Sequence, residues 1–501
     1  MARVFVAMDG DKKRSWMTQQ ETIASLDIGF KGPELNRYFI FNSRILSAMK
    51  TLSFPLISFD PLAFYLSCAP GGPGLLESLN TLPKTGRYSI VPLRWQELYT
   101  LVNNQLHWQH PDGSQRSSDQ PMETLARILA ERRCPHSAQT PFPGGFFGFF
   151  GYDLARQIED LPYQATRDLP LADLYLNWVD VTAVYDHHQQ LMTLATLDDS
   201  VDLQPWQEQV LLSQVSPPPE APLFLRQEPG SVLSEQEFIA IVKRAREYIA
   251  AGDIYQVNLS CRFDAVVDGS AGELYRRLRQ INPAPFACLL KLGGLEIISS
   301  SPERLVSLRD GNAQTRPIAG TRPRGFTPPE DHQLGTELLG HPKERAEHIM
   351  LLDLERNDLG KVCQSGTVEV DELMVLERYS HVTHIVSNVR GTLRPDCTPI
   401  DLLTATFPGG TITGVPKKRC MEIIDELEPV GRGSYTGSAG YISACGSMDL
   451  NILIRGFQRI GSHLSYQTGA GIVADSVPEL EWQECLHKGK ALSALLHSLE
   501  R

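Results

Sequence analysis

The sequence predicts a mixed fold of helices and strands in two intimately packed parts, and three observations carry that prediction. Of its 501 residues 42% are hydrophobic and 21% charged, an ordinary globular balance with material for a large core. Between about 50 and 215, short alternating apolar runs are broken by Gly and Pro, the punctuation of strands and tight turns. Beyond 231 the apolar period becomes helical and then switches to that of a strand. A chain this long suggests more than one compact unit, yet large chains can interleave their sheets, so the two halves need not be independent.

Taken in order, residues 1–48 carry mixed charge and weak periodicity before the sequence restarts at Met49, and are expected to be a poorly ordered extension. Residues 49–215 form the N-terminal part, in which FPGGFFGFFGY at 142–152 reads as a strand between turns. Pro217, Pro218, Pro219, Pro222, Pro229 and Gly230 make 216–231 the expected linker. The C-terminal part, 232–501, opens with Phe238, Ile241, Val242, Ala245 and Ile249 at helical spacing, and Gly252 follows as a stop. Tyr255, Val257, Leu259, Cys261 and Phe263 then alternate with Gln256, Asn258, Ser260 and Arg262, predicting a half-buried strand with one apolar and one polar face. Neither an internal repeat nor a low-complexity tract is present, against a solenoid or scaffold.

The net charge of −12 lacks the basic excess of a nucleic-acid binder, and an acidic chain that binds an anion needs a metal ion or a few well-placed Arg and N–H groups. Nine cysteines without CxxC pairs point to a reducing compartment. The sequence has no apolar run of membrane-spanning length, and the run Val4–Met8 is too short for a signal-peptide core, so the protein is expected to be cytoplasmic.

Two segments read as helices presenting acids on one face. Glu344 and Glu347 lie within 341–360, and Glu481, Glu484 and Lys488 within 479–492. Four such carboxylates would hold a hard cation such as Mg2+; alternatively they form two solvated faces of ordinary Glu–Lys pairs. Arg455 follows apolar neighbours in an expected buried strand, where a guanidinium is costly unless it meets a substrate carboxylate or one of the chain's own acids. Gly469 and Gly471, expected to follow a strand, leave backbone N–H groups open to an anion, or simply make a turn. Alternation does not settle whether His384 is structural or a ligand. Glu303 closes an apolar strand and Pro302; it is a candidate general acid or a surface turn acid.

In this order the strings GDIYQVNLS (252–260), SSSPER (299–304), RPIAGTRPRG (316–325), AEHIMLLDLERNDLG (346–360), FPGGTITGVPK (407–417), GSAGY (437–441) and GAGIVADS (469–476) resemble the chorismate-utilising enzymes. The resemblance covers essentially everything after 232, and 50–215 more thinly. It implies an α+β fold of two interleaved domains, with antiparallel sheets packed against each other and helices outside. It implies that Glu344, Glu347, Glu481 and Glu484 bind Mg2+, and that Glu303, His384, Thr321 and Lys488 form the catalytic set. Gly320, Thr321, Thr413, Tyr441, Arg455, Gly469 and Gly471 match positions that grip the two carboxylates and the ring of chorismate. Ammonia is the implied nucleophile, because Gln256 stands where water-using members usually carry a lysine base. No Gly-x-Cys-x-Gly elbow surrounds any cysteine, so the glutamine amidotransferase subunit is expected on another chain.

Within the family, Asn258, Arg304, NPAPF at 282–286 and Gly410 resemble the aminodeoxychorismate branch, which serves para-aminobenzoate and folate synthesis. Ala319 is instead the form common in the anthranilate branch; many members of the first carry a lysine there, which adds covalently at C2 before ammonia enters at C4. Four positions against one favour the aminodeoxychorismate branch. Anthranilate formation is the alternative, and a homologue that only binds an amino acid or a partner is the non-enzyme one. Glu77, Ser78, Arg87 and Tyr88, with Asn282 and Pro283 as a second wall, resemble the family's tryptophan pocket; otherwise Leu75 and Leu76 are simply core.

Overall fold

The structure, a computed structural model, describes residues 49–79, 84–110, 112–137, 139–213, 220–378 and 382–500. The expected extension 1–48, the start of the expected linker and Tyr379–His381 lie outside the described residues. The paired strands run antiparallel in every ladder, and helices cover them, as the α+β expectation required. Tyr88–Val102 and Leu174–Asp186 pair along their length, and Leu174–Asp186 also pairs with Gly145–Phe150. On its other edge Gly145–Phe150 pairs with Ser438–Ser443, from the far end of the chain. A second stitch joins Gly74–Glu77 to Phe286–Leu292. The two halves therefore share their sheets, which is why neither reads as a closed unit in sequence.

The Phe-rich run explains the layering. Phe146 and Phe150 enter the larger core, while Phe147 and Phe149 enter a second core with Phe142, Ile90 and Leu290, as the period of two dictates. A side chain at Gly148 would stand 2.1 Å from the Tyr175 carbonyl, so a residue without one is required there.

The Glu235–Ala251 helix starts at a Ser234–Glu237 capping box and ends at Gly252 in the left-handed conformation (φ 84°). It buries Phe238, Val242 and Ala245, each apolar side chain of the larger kind contributing about 1.5–3 kcal/mol. Phe238 packs on Trp482 with ring centroids 5.5 Å apart, which seats the Pro478–His497 helix and its acids.

Three local expectations change. The irregular linker does not extend to 231: Phe224–Ser231 is a strand paired with Gln256–Asp268, and Pro229 is accommodated at a shift in register. The polar face of Gln256–Asp268 is buried rather than solvated, with Ser260 bonded to Glu428 and Arg262 to Asp168. Gly469 and Gly471 lie within the strand His463–Ile472, opposite Ser260 and Asn258, not after it. Among the described residues no helix is long and apolar enough to cross a membrane.

Candidate active site

The Pro342–Gly360 helix opens on Pro and on an N-cap, His341, whose side chain accepts from the Glu344 N–H; Pro478–His497 likewise opens on Pro. Each carries its two glutamates in the first turns. Lys343 and Lys488 both act electrostatically on Glu347 and on Glu481, which places the acids of the two helices across one space. Arg322 reaches Glu344 at 3.3 Å, Gln256 Nε2 donates to Glu347 at 2.8 Å, and Lys488 pairs with Glu484 at 2.7 Å. Burial raises the pKa of both Glu347 and Glu481. Among the described residues no three His, Cys, Asp or Glu side chains stand gathered as a ready ligand cluster. What exists is two carboxylate pairs with Arg322 and Lys488 beside them, hard oxygen donors of the type Mg2+ takes together with water and substrate oxygens.

Gly320 and Thr321 lie on the Ile318–Pro323 strand, opposite Val382–Thr392, which carries His384. Gly320 has φ 61°, and a Cβ there would come 2.9 Å from Glu344 Oε2, so this glycine sets the approach of the acidic helix. His384 Nδ1 lies 3.1 Å from the Gly320 carbonyl and 3.0 Å from Thr321 Oγ1. A carbonyl only accepts, so the proton is on Nδ1. Burial, with Arg455 adding to it, lowers the His384 pKa and keeps the ring neutral.

Arg455 departs from expectation in a useful way. It stands not in a strand but in a bend between Met448–Asn451 and Gly456–Ile460, at φ 57°, a conformation that costs a non-glycine residue about 1–2 kcal/mol. The guanidinium donates to the Lys488 carbonyl, and burial lowers its pKa. Among the described residues no carboxylate forms an ion pair with it; the nearby Glu484 is taken by Lys488. Lys488 Nζ also donates to the Gly469 carbonyl at 2.9 Å, tying the second acidic helix to the glycine strand.

Glu303 is buried, and desolvation pushes its pKa up to about 7 against the pull of Thr411, the Ile318 N–H and Lys488. Thr411 Oγ1 donates to its Oε1 at 2.8 Å. It is no surface turn acid. Behind it on the Pro342–Gly360 helix lies Glu355, which burial, Asp358 and Glu303 push up to about 8. Thr413 is wholly buried and donates its hydroxyl to the Gly409 carbonyl at 2.8 Å.

Tyr441 is not part of this group. Its ring packs in the second core, 4.9 Å from that of Phe142. The tyrosine beside the guanidinium is Tyr435, whose hydroxyl would lie 3.0 Å from a Cβ at Gly469 and which interacts electrostatically with Arg455. Tyr435 sits six residues earlier in a second glycine-flanked stretch, Gly433–Gly437; both tyrosines follow a glycine-containing string, and only the fold separates them.

The tryptophan-pocket segments do adjoin, with Ala287 paired to Glu77, Leu76 to Ile90, and Leu79 N bonded to Ala284 O. Their polar groups are engaged within the chain. Ser78 Oγ donates to Tyr88 O (2.7 Å), Arg87 pairs with Asp186 (2.7 Å), Asn282 Nδ2 donates to Ser300 O (3.2 Å), and Glu77 accepts from Tyr275 (2.6 Å) and Arg279 (3.0 Å). Leu75 is core; Pro283 is half-buried.

A half-buried guanidinium with no ion pair among the described residues, a carboxylic acid held near half-protonation at pH 7 and a field of carboxylates, framed by antiparallel sheets, define an enzyme that receives a small carboxylate substrate. The family described as chorismate binding enzyme matches residues 91–494, and the chain belongs to that family. Among its relatives, an anthranilate synthase component I-like protein from Synechocystis sp. is 50% identical over 363 residues, 72% of this chain and 74% of that one. Aminodeoxychorismate synthase component 1 of Bacillus subtilis is 43% identical over 372 residues, 72% of this chain and 78% of that one. The crystal structure of anthranilate synthase component I from Streptococcus pneumoniae superposes with a TM-score of 0.70 at 33% identity, covering 83% of this chain and 93% of that one.

Proposed function

We propose that the chain is the chorismate-aminating component of an aminodeoxychorismate synthase, working in the cytoplasm with Mg2+ and with ammonia from a separate glutaminase subunit. The observation that carries the reading is Arg455: a half-buried, desolvated cation with no ion pair among the described residues can take an anion, and the enolpyruvyl carboxylate of chorismate supplies one. Glu344, Glu347, Glu481 and Glu484 would hold Mg2+, which, bound at the ring carboxylate, draws electron density from the diene and makes C2 electrophilic. Glu303, still about half protonated at pH 7, would protonate the departing C4 hydroxyl. His384, Thr321 and Tyr435 orient the ring. All nine cysteines are free and none is fully exposed, which fits a reducing compartment and a glutaminase nucleophile on another chain.

Asn258, buried at the site, supports the aminodeoxychorismate product. Ala319 supports the second reading, anthranilate synthase: on the Ile318–Pro323 strand next to Gly320, it offers no nucleophile for C2, so ammonia or another group must serve there. The test is incubation with chorismate, MgCl2 and ammonium chloride, followed by chromatography. A 4-amino product that yields para-aminobenzoate only on adding a lyase supports the first reading; fluorescent anthranilate formed without one replaces it with the second. Tryptophan is proposed as a ligand of the adjoining Glu77–Ser78 and Asn282–Pro283 segments. Calorimetry with and without chorismate checks it, linked affinities meaning regulation and absence of heat rejecting it.

A further inference from the structure

We propose that Cys445 is a site of oxidative modification, attacked by hydroperoxides and closed by Cys134 into a disulfide that ties the two halves of the chain. This modification is independent of the amination chemistry and of its product. Cys134 follows the Pro121–Glu131 helix in the N-terminal half, and Cys445 lies in the turn between Ser438–Ser443 and Met448–Asn451. Cys134 N donates to the Ala444 carbonyl at 3.0 Å, so the two backbones meet one residue from Cys445. The turn is itself fixed, with Ser443 N on the Ser447 carbonyl (2.7 Å), Gly446 N on the Ser443 carbonyl (2.9 Å) and Gly446 at φ 92°. A disulfide requires Cα atoms about 4.4–6.8 Å apart, a separation that backbones sharing a hydrogen bond provide.

The two sulfurs divide the roles that such a reaction needs. Cys134 is buried, whereas Cys445 is half-buried and open to a small oxidant. Cys445 Sγ lies 3.1 Å from Ser443 Oγ, 3.6 Å from Ser447 Oγ and 3.8 Å from the Pro141 carbonyl. A hydrogen bond from Cys134, helped by the two serines, overcomes burial and brings the Cys445 pKa down to about 5; the same bond, with burial, pushes Cys134 up. Cys68 and Cys397, the other half-buried cysteines, are raised by burial instead. At neutral pH the reachable sulfur is therefore a thiolate, the nucleophilic form, and the one beside it keeps its proton. The Cys445 thiolate attacks one oxygen of ROOH; the O–O bond breaks, the alkoxide leaves with the Cys134 proton as ROH, and Cys445 becomes a sulfenic acid. The Cys134 thiolate then attacks the Cys445 sulfur, the S–O bond breaks, and the hydroxide takes a proton from solvent and leaves as water. The two sulfurs lose two electrons in all, and the hydroperoxide gains them.

The test uses the full chain, reduced, freed of reductant and treated with hydrogen peroxide at pH 7, then alkylated and peptide-mapped without reductant. The expected product is a single cross-linked peptide pair joining Cys134 to Cys445, with two of the nine thiols lost and both recovered on adding dithiothreitol. In Cys134→Ser the sulfenic acid on Cys445 should persist and be trapped by dimedone, whereas in Cys445→Ser the Cys134 thiol should survive the same treatment. A second measurement needs no variant: brief iodoacetamide labelling of the untreated parent at pH 6 should mark Cys445 about tenfold faster than Cys68 or Cys397, because it alone is ionised there. Absence of the linked pair overturns the disulfide. Labelling of Cys445 no faster than that of the other two, or oxidation of Cys134 undiminished in Cys445→Ser, overturns the assignment of Cys445 as the attacking sulfur.

Discussion

Glu303 and Arg455 illustrate how burial makes two ordinary side chains chemically special. Removing Glu303 from water raises its pKa to about 7, so near neutrality it retains a proton that an exposed glutamate would have lost. A general acid must be protonated to act; the activity it supports is present below about pH 7 and declines as pH rises through that value. Glu303→Gln should keep chorismate affinity, lower kcat by about 10²–10⁴ and abolish that limb of the profile. A variant with near-parental turnover would remove Glu303 from the chemistry. For Arg455 the cost lies in the free enzyme, because desolvation disfavours its charge by more than Tyr435 and Glu484 favour it, and no carboxylate of the described residues pairs with it directly. Arg455→Met loses one hydrogen bond, about 1 kcal/mol, and a desolvated charge worth more than that. Thermal unfolding is therefore expected at the parental temperature or above it, while chorismate affinity falls about 100-fold, the effect of losing a buried charge pair. Unaltered chorismate affinity would show that the guanidinium meets no substrate.

Among the elements, the His463–Ile472 strand decides most about the site, through what it lacks. At Gly471 a Cβ would touch only the Gln256 amide (2.7 Å) and approach Glu347 (3.6 Å), whereas at Gly469 it would also strike the Leu259 carbonyl at 2.7 Å. Gly471→Ala should leave the unfolding midpoint nearly unchanged and cut turnover, while Gly469→Ala should lower both; melting curves beside steady-state rates check the contrast, and a fully active Gly471→Ala would contradict it. This strand also marks how far the sequence could be read. The helix at 235 was legible from its 3.6-residue apolar period and the stop at Gly252, and those at 342 and 478 from acids spaced on one face, all of them local signals. Alternation in Gln256–Phe263 gave the strand but not its surroundings, since a period of two is the same whether the polar face meets water or a cavity. GAG looked like a turn because glycine in a strand interior makes sense only once Asn258 and Gln256 are seen opposite. The resemblance points to Tyr441 alone and the apolar run to a strand at Arg455, because nothing local draws attention to Tyr435 or announces a left-handed bend.

At the scale of the whole fold, the N-terminal half is a structural requirement of a site whose residues lie almost entirely in the C-terminal half. Tyr152 N donates to the Gly433 carbonyl at 2.9 Å, and Gly437 backs onto Phe150 so closely that a Cβ would stand 2.3 Å from its carbonyl. These two contacts clamp the loop that carries Tyr435 toward Arg455. Arg156 adds a buried ion pair to Asp425, and buried Arg262 pairs with the more exposed Asp168, so the halves are joined by ion pairs as well as by shared strands. Without residues 49–215, the fully buried strand Ser438–Ser443 would lose Gly145–Phe150, and Phe286–Leu292 would lose Gly74–Glu77. Each would become an unpaired apolar edge, a template for aggregation. Residues 232–501 expressed alone should therefore be aggregated on size-exclusion chromatography and fail to bind chorismate, whereas co-expression with 49–231 as a separate chain should restore a soluble 1:1 complex, because the missing strands are then supplied in trans. A monodisperse 232–501 fragment that binds chorismate would refute this dependence, and with it the argument that Tyr435 is positioned from the other half of the chain.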